Sequence, residues 1–358
     1  MQPGFTAADE NASLQAIEAV ERLSDDAIRW VADELYRRYA ELTVVRGTRG
    51  RLPTQQDLKD HLEFLNGALQ TGASIFFTDY VRWLATVLES RGGSKQSLDE
   101  SLELLRRFFD EALESTISDR ISDVLEQGRF ALAGGREPSE PPYCAYRPRD
   151  LPHVAALTKC LINGDVEGAR SFSQMSWEAS GDYAEVATRL FQPALYDVGI
   201  LWQRNQITVA QEHLATAIVQ TLLTQIYLTA ELFAGPSRRT ALFAGVEGSE
   251  HVLGLRMVSD AFEIAGWTVQ FLGANTPTDD LVAHLDSTRP EVAGFSASMV
   301  QQLPTLRRLI GVVRAELGSR CPIIMVGGLP TNQLNEVWRW LGADSWSPDA
   351  AKAVKEMT

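Results

Sequence analysis

Histidine is scarce in this chain, five in 358 residues, and one of them, His251, sits in a stretch that offers access. The run is Gly245-Val246-Glu247-Gly248-Ser249-Glu250-His251-Val252-Leu253-Gly254. A neutral imidazole can give a lone pair to a metal or a hydrogen bond to a ligand. Two further segments, Ser296-Ala297-Ser298 and Gly327-Gly328, place short side chains where a large group can approach the backbone. Together they describe an imidazole facing a slot.

The surrounding pattern says what holds them. From Arg239 onward short apolar runs (240–244, 268–272, 292–295 and 322–326) alternate with helical segments at 253–265, 278–286, 300–316 and 331–341. This alternation predicts a doubly wound parallel sheet. Each of the three segments then follows a strand, at the carboxyl ends where such sheets take their ligands. Upstream, residues 151–163, 165–179, 182–203 and 207–233 carry helical patterning with short breaks, which predicts a four-helix bundle. Residues 134–150, rich in proline, read as a linker. Before it, apolar residues recur at helical spacing, as in Ile28, Val31, Leu35, Tyr39 and Leu42, and predict helices at 24–44, 54–70, 73–90, 97–114 and 117–132. Ser24 and Pro53 serve as start signals. The expected class is multidomain α plus α/β, divided as 1–133, 134–150, 151–235 and 236–358.

The ordered spacing is more specific than any one segment. His251-x-x-Gly254 is followed after 41 residues by Ser296-x-Ser298, and 28 residues then precede Gly327-Gly328. It resembles the cobalamin-binding signature Asp-x-His-x-x-Gly, Ser-x-Leu, Gly-Gly of flavodoxin-like domains. The resemblance implies that His251 binds cobalt from below while the nucleotide tail enters the slot of Ser296, Ser298, Gly327 and Gly328. This sequence departs from the signature in having Ser249 for Asp and Ser298 for Leu. A ligating histidine is oriented and made more basic by a carboxylate partner, and Glu247 or Glu250 is the available substitute. In the bundle, Trp202, nine residues and Glu212-His213 resemble the motif of CarH-type light sensors. That implies adenosylcobalamin, with the adenosyl group packed by Trp202 and Glu212. The usual histidine after the tryptophan is Gln203 here, leaving His213 as the other bundle histidine near the motif.

Residues 1–133 lack a β-wing and a basic recognition helix. Asp60-His61-Leu62-Glu63-Phe64-Leu65 and Phe76-Phe77-Thr78-Asp79-Tyr80-Val81-Arg82-Trp83-Leu84 resemble a globin-like helical sensor module, and the whole arrangement is similar to the photocobilins. The resemblance implies a bilin such as biliverdin, for which His61, Tyr80, Arg82 and Trp83 supply polar, cationic and aromatic groups. No cysteine lies in this module to attach one.

Thirty-three basic against 47 acidic residues give a net charge of −14, which disfavours a phosphate backbone as partner. No apolar run reaches the ~18 residues of a membrane span. Three cysteines without metal spacing, and a start without signal-peptide character, place the chain in the cytoplasm. The expected function is a light-sensing, non-enzymatic protein that signals through homo-oligomer formation or a protein partner, without binding DNA directly. A corrinoid carrier for methyl transfer and a light-insensitive cobalamin-binding regulator are the alternatives.

Overall fold

The computed structural model describes residues 7–38, 40–134, 152–230, 239–334 and 336–357, the side chains of 7–12, 40–54 and 152 excepted. The chain divides into two units, Met1–Pro138 and Ser139–Thr358.

Every element described in the first unit is helical: α1 (Ala7–Arg38), α2 (Ala40–Thr71), α3 (Ile75–Ser90), α4 (Lys95–Ala112) and α5 (Ser115–Ala133). α1 begins well before Ser24, because Ala16, Val20 and Ala27 carry the buried stripe on to Val31 and Leu35. Ser24 is therefore interior to the helix, and so is Pro53 in α2. Neither start signal marks a start. The expected 24–44 helix is divided between α1, which ends at Arg38, and α2, which begins at Ala40; residue 39 and the Leu42 side chain lie outside the described residues. Leu58, Leu65, Phe77, Leu102, Phe109 and Ile121 form the core. α5 approaches α3 through Gly128, where a Cβ would stand 2.6 Å from the Phe77 ring. Ser94 caps α4 by accepting the Gln96 N–H.

The second unit opens with the helices α6 (Pro152–Asn163), α7 (Val166–Ser180), α8 (Tyr183–Val186), α9 (Gln192–Gln203) and α10 (Val209–Thr229). One π-helical turn, Ala187–Phe191, joins α8 to α9, so the long third helix of the bundle is continuous. Asp165 caps α7, and left-handed Gly181 ends it. Thr208 and Gln211 close a capping box on α10.

The rest alternates β1 (Thr240–Val246), α11 (Leu253–Ile264), β2 (Thr268–Thr276), α12 (Thr278–Thr288), β3 (Val292–Ser296), α13 (Leu303–Leu317), β4 (Ile323–Gly327), α14 (Leu329–Gln333), α15 (Val337–Leu341), β5 (Ser345–Trp346) and α16 (Ala350–Met357). The sheet is parallel throughout, ordered β2-β1-β3-β4-β5. Its order reverses direction at β1, so the crevice between β1 and β3 is the ligand position of a doubly wound fold. Three details differ from the sequence expectation. The helix expected at 331–341 is two short helices separated around Leu334, β5 is two residues long, and α16 follows it. A strand of two residues leaves no alternation to detect. The expected linker beyond Gly134 and the bundle end at 231–235 lie outside the described residues.

The bundle and the sheet share one apolar cluster, in which Met257, Ala261 and Ala350 pack with Leu157, Phe191 and Val219. No described helix is long and apolar enough to cross a membrane.

Candidate functional site

Strand register assembles the crevice. Gly245 of β1 pairs with Ser296 of β3, which pairs with Gly327 of β4. The three strands thus end in a level row of two glycines and a buried serine. Gly328 has a φ of 109°, and a Cβ there would lie 1.9 Å from the Ala297 carbonyl oxygen. Only glycine lets the chain turn this close to its neighbour.

The loop after β1 carries His251, whose carbonyl is bonded to Ser298 of the loop after β3. The His251 side chain is exposed and makes no hydrogen bond among the described residues, so both ring nitrogens are available. The loop's backbone is well held. Ser249 N–H donates to the Val246 carbonyl (2.9 Å), and Gly248 N–H donates to Asn275 Oδ1 (2.7 Å). Asn275 N–H donates to the Ser249 carbonyl (3.0 Å), Gln302 Nε2 to the Gly248 carbonyl (2.9 Å) and Ser298 Oγ to the His251 carbonyl (3.1 Å). Asn275 adopts a φ of 49°, in the left-handed region that asparagine tolerates. Asn275 and Gln302 carry no motif. Their signal in the sequence is only position: Asn275 lies at the carboxyl end of β2 and Gln302 follows β3 of the same sheet.

Ser249 is fully buried, and its Oγ lies 3.4 Å from Ser298 Oγ. Glu247 receives Thr278 Oγ1 and Arg308, each at 3.4 Å. Glu250 is exposed. Among the described residues the imidazole therefore has no carboxylate or hydroxyl partner. Gly254 stands at the start of α11, where a Cβ would meet nothing within 4 Å.

In the bundle, Trp202 is half-buried near the end of α9 and packs against the shared apolar cluster, while Gln203 is buried. Glu212, in the first turn of α10, has both oxygens engaged: Oε2 lies 2.6 Å from His213 Nδ1, and Oε1 accepts from Thr216 Oγ1 (3.0 Å). His213 is exposed.

The bundle is tied to the sheet by a buried polar contact that the sequence did not reveal. Tyr183 Oη on α8 donates to Asp260 Oδ2 on α11 (2.9 Å), and Arg256 Nε meets Asp260 Oδ1 (2.6 Å). Burial raises the Asp260 carboxyl above its usual range against the pull of Tyr183 and Arg256. Burial, with the Asp260 charge, raises the Tyr183 phenol strongly. Burial and a hydrogen bond to Glu263 push Tyr227 up to about 12. α11 starts two residues after His251, so the helix that carries this tie is also the one that the histidine loop leads into.

Two matches to known proteins bear on this arrangement. Residues 239–355 match the B12 binding domain family, and residues 154–227 match a second B12 binding domain family. The second unit carries a cobalamin-binding domain pair. Dimethylamine corrinoid protein 3 of Methanosarcina acetivorans is 29% identical over 174 residues, 48% of this chain and 79% of that protein. The HTH-type transcriptional repressor CarA of Myxococcus xanthus is 34% identical over 104 residues, 29% of this chain and 34% of that protein. The solved structure of the Methanosarcina barkeri monomethylamine corrinoid protein aligns with 56% of this chain and 94% of its own, at 20% identity and a TM-score of 0.49.

The crevice suits such a group on its own terms. A row of small residues clears the strand ends, the loop after β1 carries an exposed imidazole, and the side-chain oxygen of Gln301, Oε1, three residues beyond Ser298, is buried with no hydrogen-bond partner among the described residues. A buried acceptor of that kind calls for a donor, and the cofactor's amide side chains carry such donors.

In the first unit, His61 and Tyr80 meet in the core. His61 Nδ1 lies 2.7 Å from Tyr80 Oη and Nε2 3.3 Å from Ser101 Oγ. Burial lowers the imidazole from 6.5 to about 4, so it is neutral at pH 7. Tyr80 stacks on Phe64 with ring centroids 3.9 Å apart and on Trp83 at 6.2 Å. Arg82, whose side chain is 34% exposed, pairs with Asp79 at 3.0 Å. His61, Tyr80 and Trp83 thus form one aromatic group, with Arg82 ion-paired on the same helix as Tyr80 and Trp83.

Proposed function

We propose that this chain is a cobalamin-dependent light sensor that holds adenosylcobalamin between the four-helix bundle and the sheet, with His251 as the lower cobalt ligand. The observation that carries the reading is the level row Gly245, Ser296 and Gly327 at the strand ends, with an exposed, unbonded His251 on a loop held to the loop after β3 through Ser298. When bound, adenosylcobalamin would supply a cobalt–carbon bond that light can break. Ser298, Gly327 and Gly328 leave room for the nucleotide tail. Trp202 provides an aromatic wall for the upper group, and Glu212, fixed by Thr216 and His213, offers a held carboxylate. Reversing a 1:99 balance between two arrangements takes ~5.5 kcal/mol of differential interaction, which losing a buried nucleoside from beside Trp202 and Glu212 would supply. Movement at the His251 loop passes to α11 and, through Asp260 and Tyr183, to the bundle. The output is a change in self-association or in a protein partner, in the cytoplasm. The similarity to the repressor CarA supports a regulatory role.

The helical unit adds a globin-like module for a bilin such as biliverdin, with Tyr80, Trp83 and His61 as aromatic and polar walls and Arg82 as propionate partner. A corrinoid carrier for methyl transfer is the second reading, favoured by the longer similarity to the dimethylamine corrinoid proteins.

The deciding experiment loads the full chain in the dark with adenosylcobalamin or hydroxocobalamin. The sensor reading expects a base-off, histidine-ligated spectrum lost in His251→Ala, tighter binding of the adenosyl form through Trp202, and a change in oligomeric state after green light. Equal affinities unaffected by Trp202→Ala would favour the carrier. A free-biliverdin spectrum at all protein concentrations would remove the bilin alone.

A further inference from the structure

We infer that Gln302 is the positioning residue for the His251 ligand, clamping the loop that carries it to the loop after β3 so that backbone, not a carboxylate, sets where the imidazole stands. The inference rests on the reading of His251 as cobalt ligand.

An imidazole that ligates a metal is usually oriented by a hydrogen bond from its second ring nitrogen. Here none of the candidates bonds the ring: Ser249 Oγ is with Ser298 Oγ, Glu247 is with Arg308 and Thr278, and Glu250 is exposed with no bond to His251 among the described residues. Position must then come from the chain on either side of the ring. The Gln302 side chain is suited to that. Its Nε2 donates to the Gly248 carbonyl (2.9 Å) on the histidine loop, and its Oε1 accepts from Ser298 N–H (2.8 Å) and Met299 N–H (3.1 Å) on its own loop. One amide therefore satisfies three backbone groups on two loops. Ser298, which Gln302 fixes, completes the tie by donating its Oγ–H to the carbonyl of His251 itself (3.1 Å). Asn275 holds the same loop from the β2 side.

The chemistry demands glutamine. The Gly248 carbonyl needs a donor and the two N–H groups need an acceptor, so a carboxylate can serve only one side and an amine only the other. Gln302→Glu is accordingly a selective cut: it keeps the acceptor for Ser298 and Met299 and sets an oxygen against the Gly248 carbonyl.

The test uses the full chain, wild type beside Gln302→Glu and His251→Ala. Three readouts are taken: hydroxocobalamin affinity, the nitrogen splitting in the electron paramagnetic resonance of the cobalt(II) form, and amide hydrogen exchange of residues 248–252 without cofactor. For Gln302→Glu we expect about tenfold weaker binding, a reduced histidine-ligated fraction, and faster exchange confined to that loop. If Gln302→Glu binds within about twofold of wild type with full nitrogen splitting while His251→Ala loses it, the clamp is wrong and the ligand reading stands. If His251→Ala keeps the splitting, both are wrong. Should Gln302→Glu fail to fold, Ser298→Ala, which removes the tie to the His251 carbonyl together with the contact to Ser249 Oγ, must show faster cofactor-free exchange of residues 248–252, and its absence overturns the inference.

Discussion

Replacing His61 by glutamine should flatten the acid sensitivity of the N-terminal helical unit. The imidazole is 2% exposed and bonded through both nitrogens to neutral hydroxyls, so a proton would bring a charge into the core with nothing opposite to it. Its folded value is lowered to about 4 from 6.5. The unfolded chain thus binds more protons between those values. The native state keeps its full advantage above about pH 6.5 and loses it as pH falls towards 4. At ~1.36 kcal/mol per unit, the loss by pH 4.5 is about 2.5 kcal/mol. Glutamine cannot titrate. Its own cost, about 1–3 kcal/mol for disturbing two buried hydrogen bonds, applies at every pH. The assay is amide exchange by mass spectrometry on peptides from α2 and α4 in the full chain, wild type against His61→Gln, at pH 7 and 4.5. Comparing the two chains at one pH cancels the intrinsic exchange rate. The wild-type advantage should shrink by about 2–3 kcal/mol from pH 7 to 4.5. A difference that stays flat across that range would refute the buried, neutral imidazole.

Two other substitutions test the second unit. Asp260→Ala leaves the buried Tyr183 hydroxyl without its acceptor, worth about 1.5–3 kcal/mol for a bond to a charged group; Arg256, 39% exposed, adds under about 1 kcal/mol. Calorimetry of the full chain should show the transition of the second unit lowered by about 3–16 °C, and a shift under about 1 °C would show that the tie carries no stability. Gly328→Ala places a Cβ against the Ala297 carbonyl at a positive φ, so cobalamin titration should show at least about tenfold weaker binding, and unchanged affinity would mean that this turn does not border the cofactor.

The alternation of apolar runs and helices from 239 onward was legible because a parallel sheet buried on both faces demands continuous apolar strands. β1 and β3, buried along nearly their whole length, are the clearest instances. Helix starts were less legible. Ser24 has the chemistry of a cap, yet the buried stripe through Ala16, Val20 and Ala27 outweighs a local preference worth only about 1 kcal/mol.

Sequence by itself determined the order and spacing of His251, Ser296, Ser298, Gly327 and Gly328, and with them the cobalamin-type signature, because loops after strands keep their place in the chain however the sheet assembles. Tertiary structure alone decided what touches what. The register that levels Gly245, Ser296 and Gly327, the clamp of Asn275 and Gln302 on the histidine loop, and the bond from Tyr183 to Asp260 across 77 positions join residues whose partners are set by strand order and helix packing. Those are cooperative properties of the whole fold, and no local pattern encodes them.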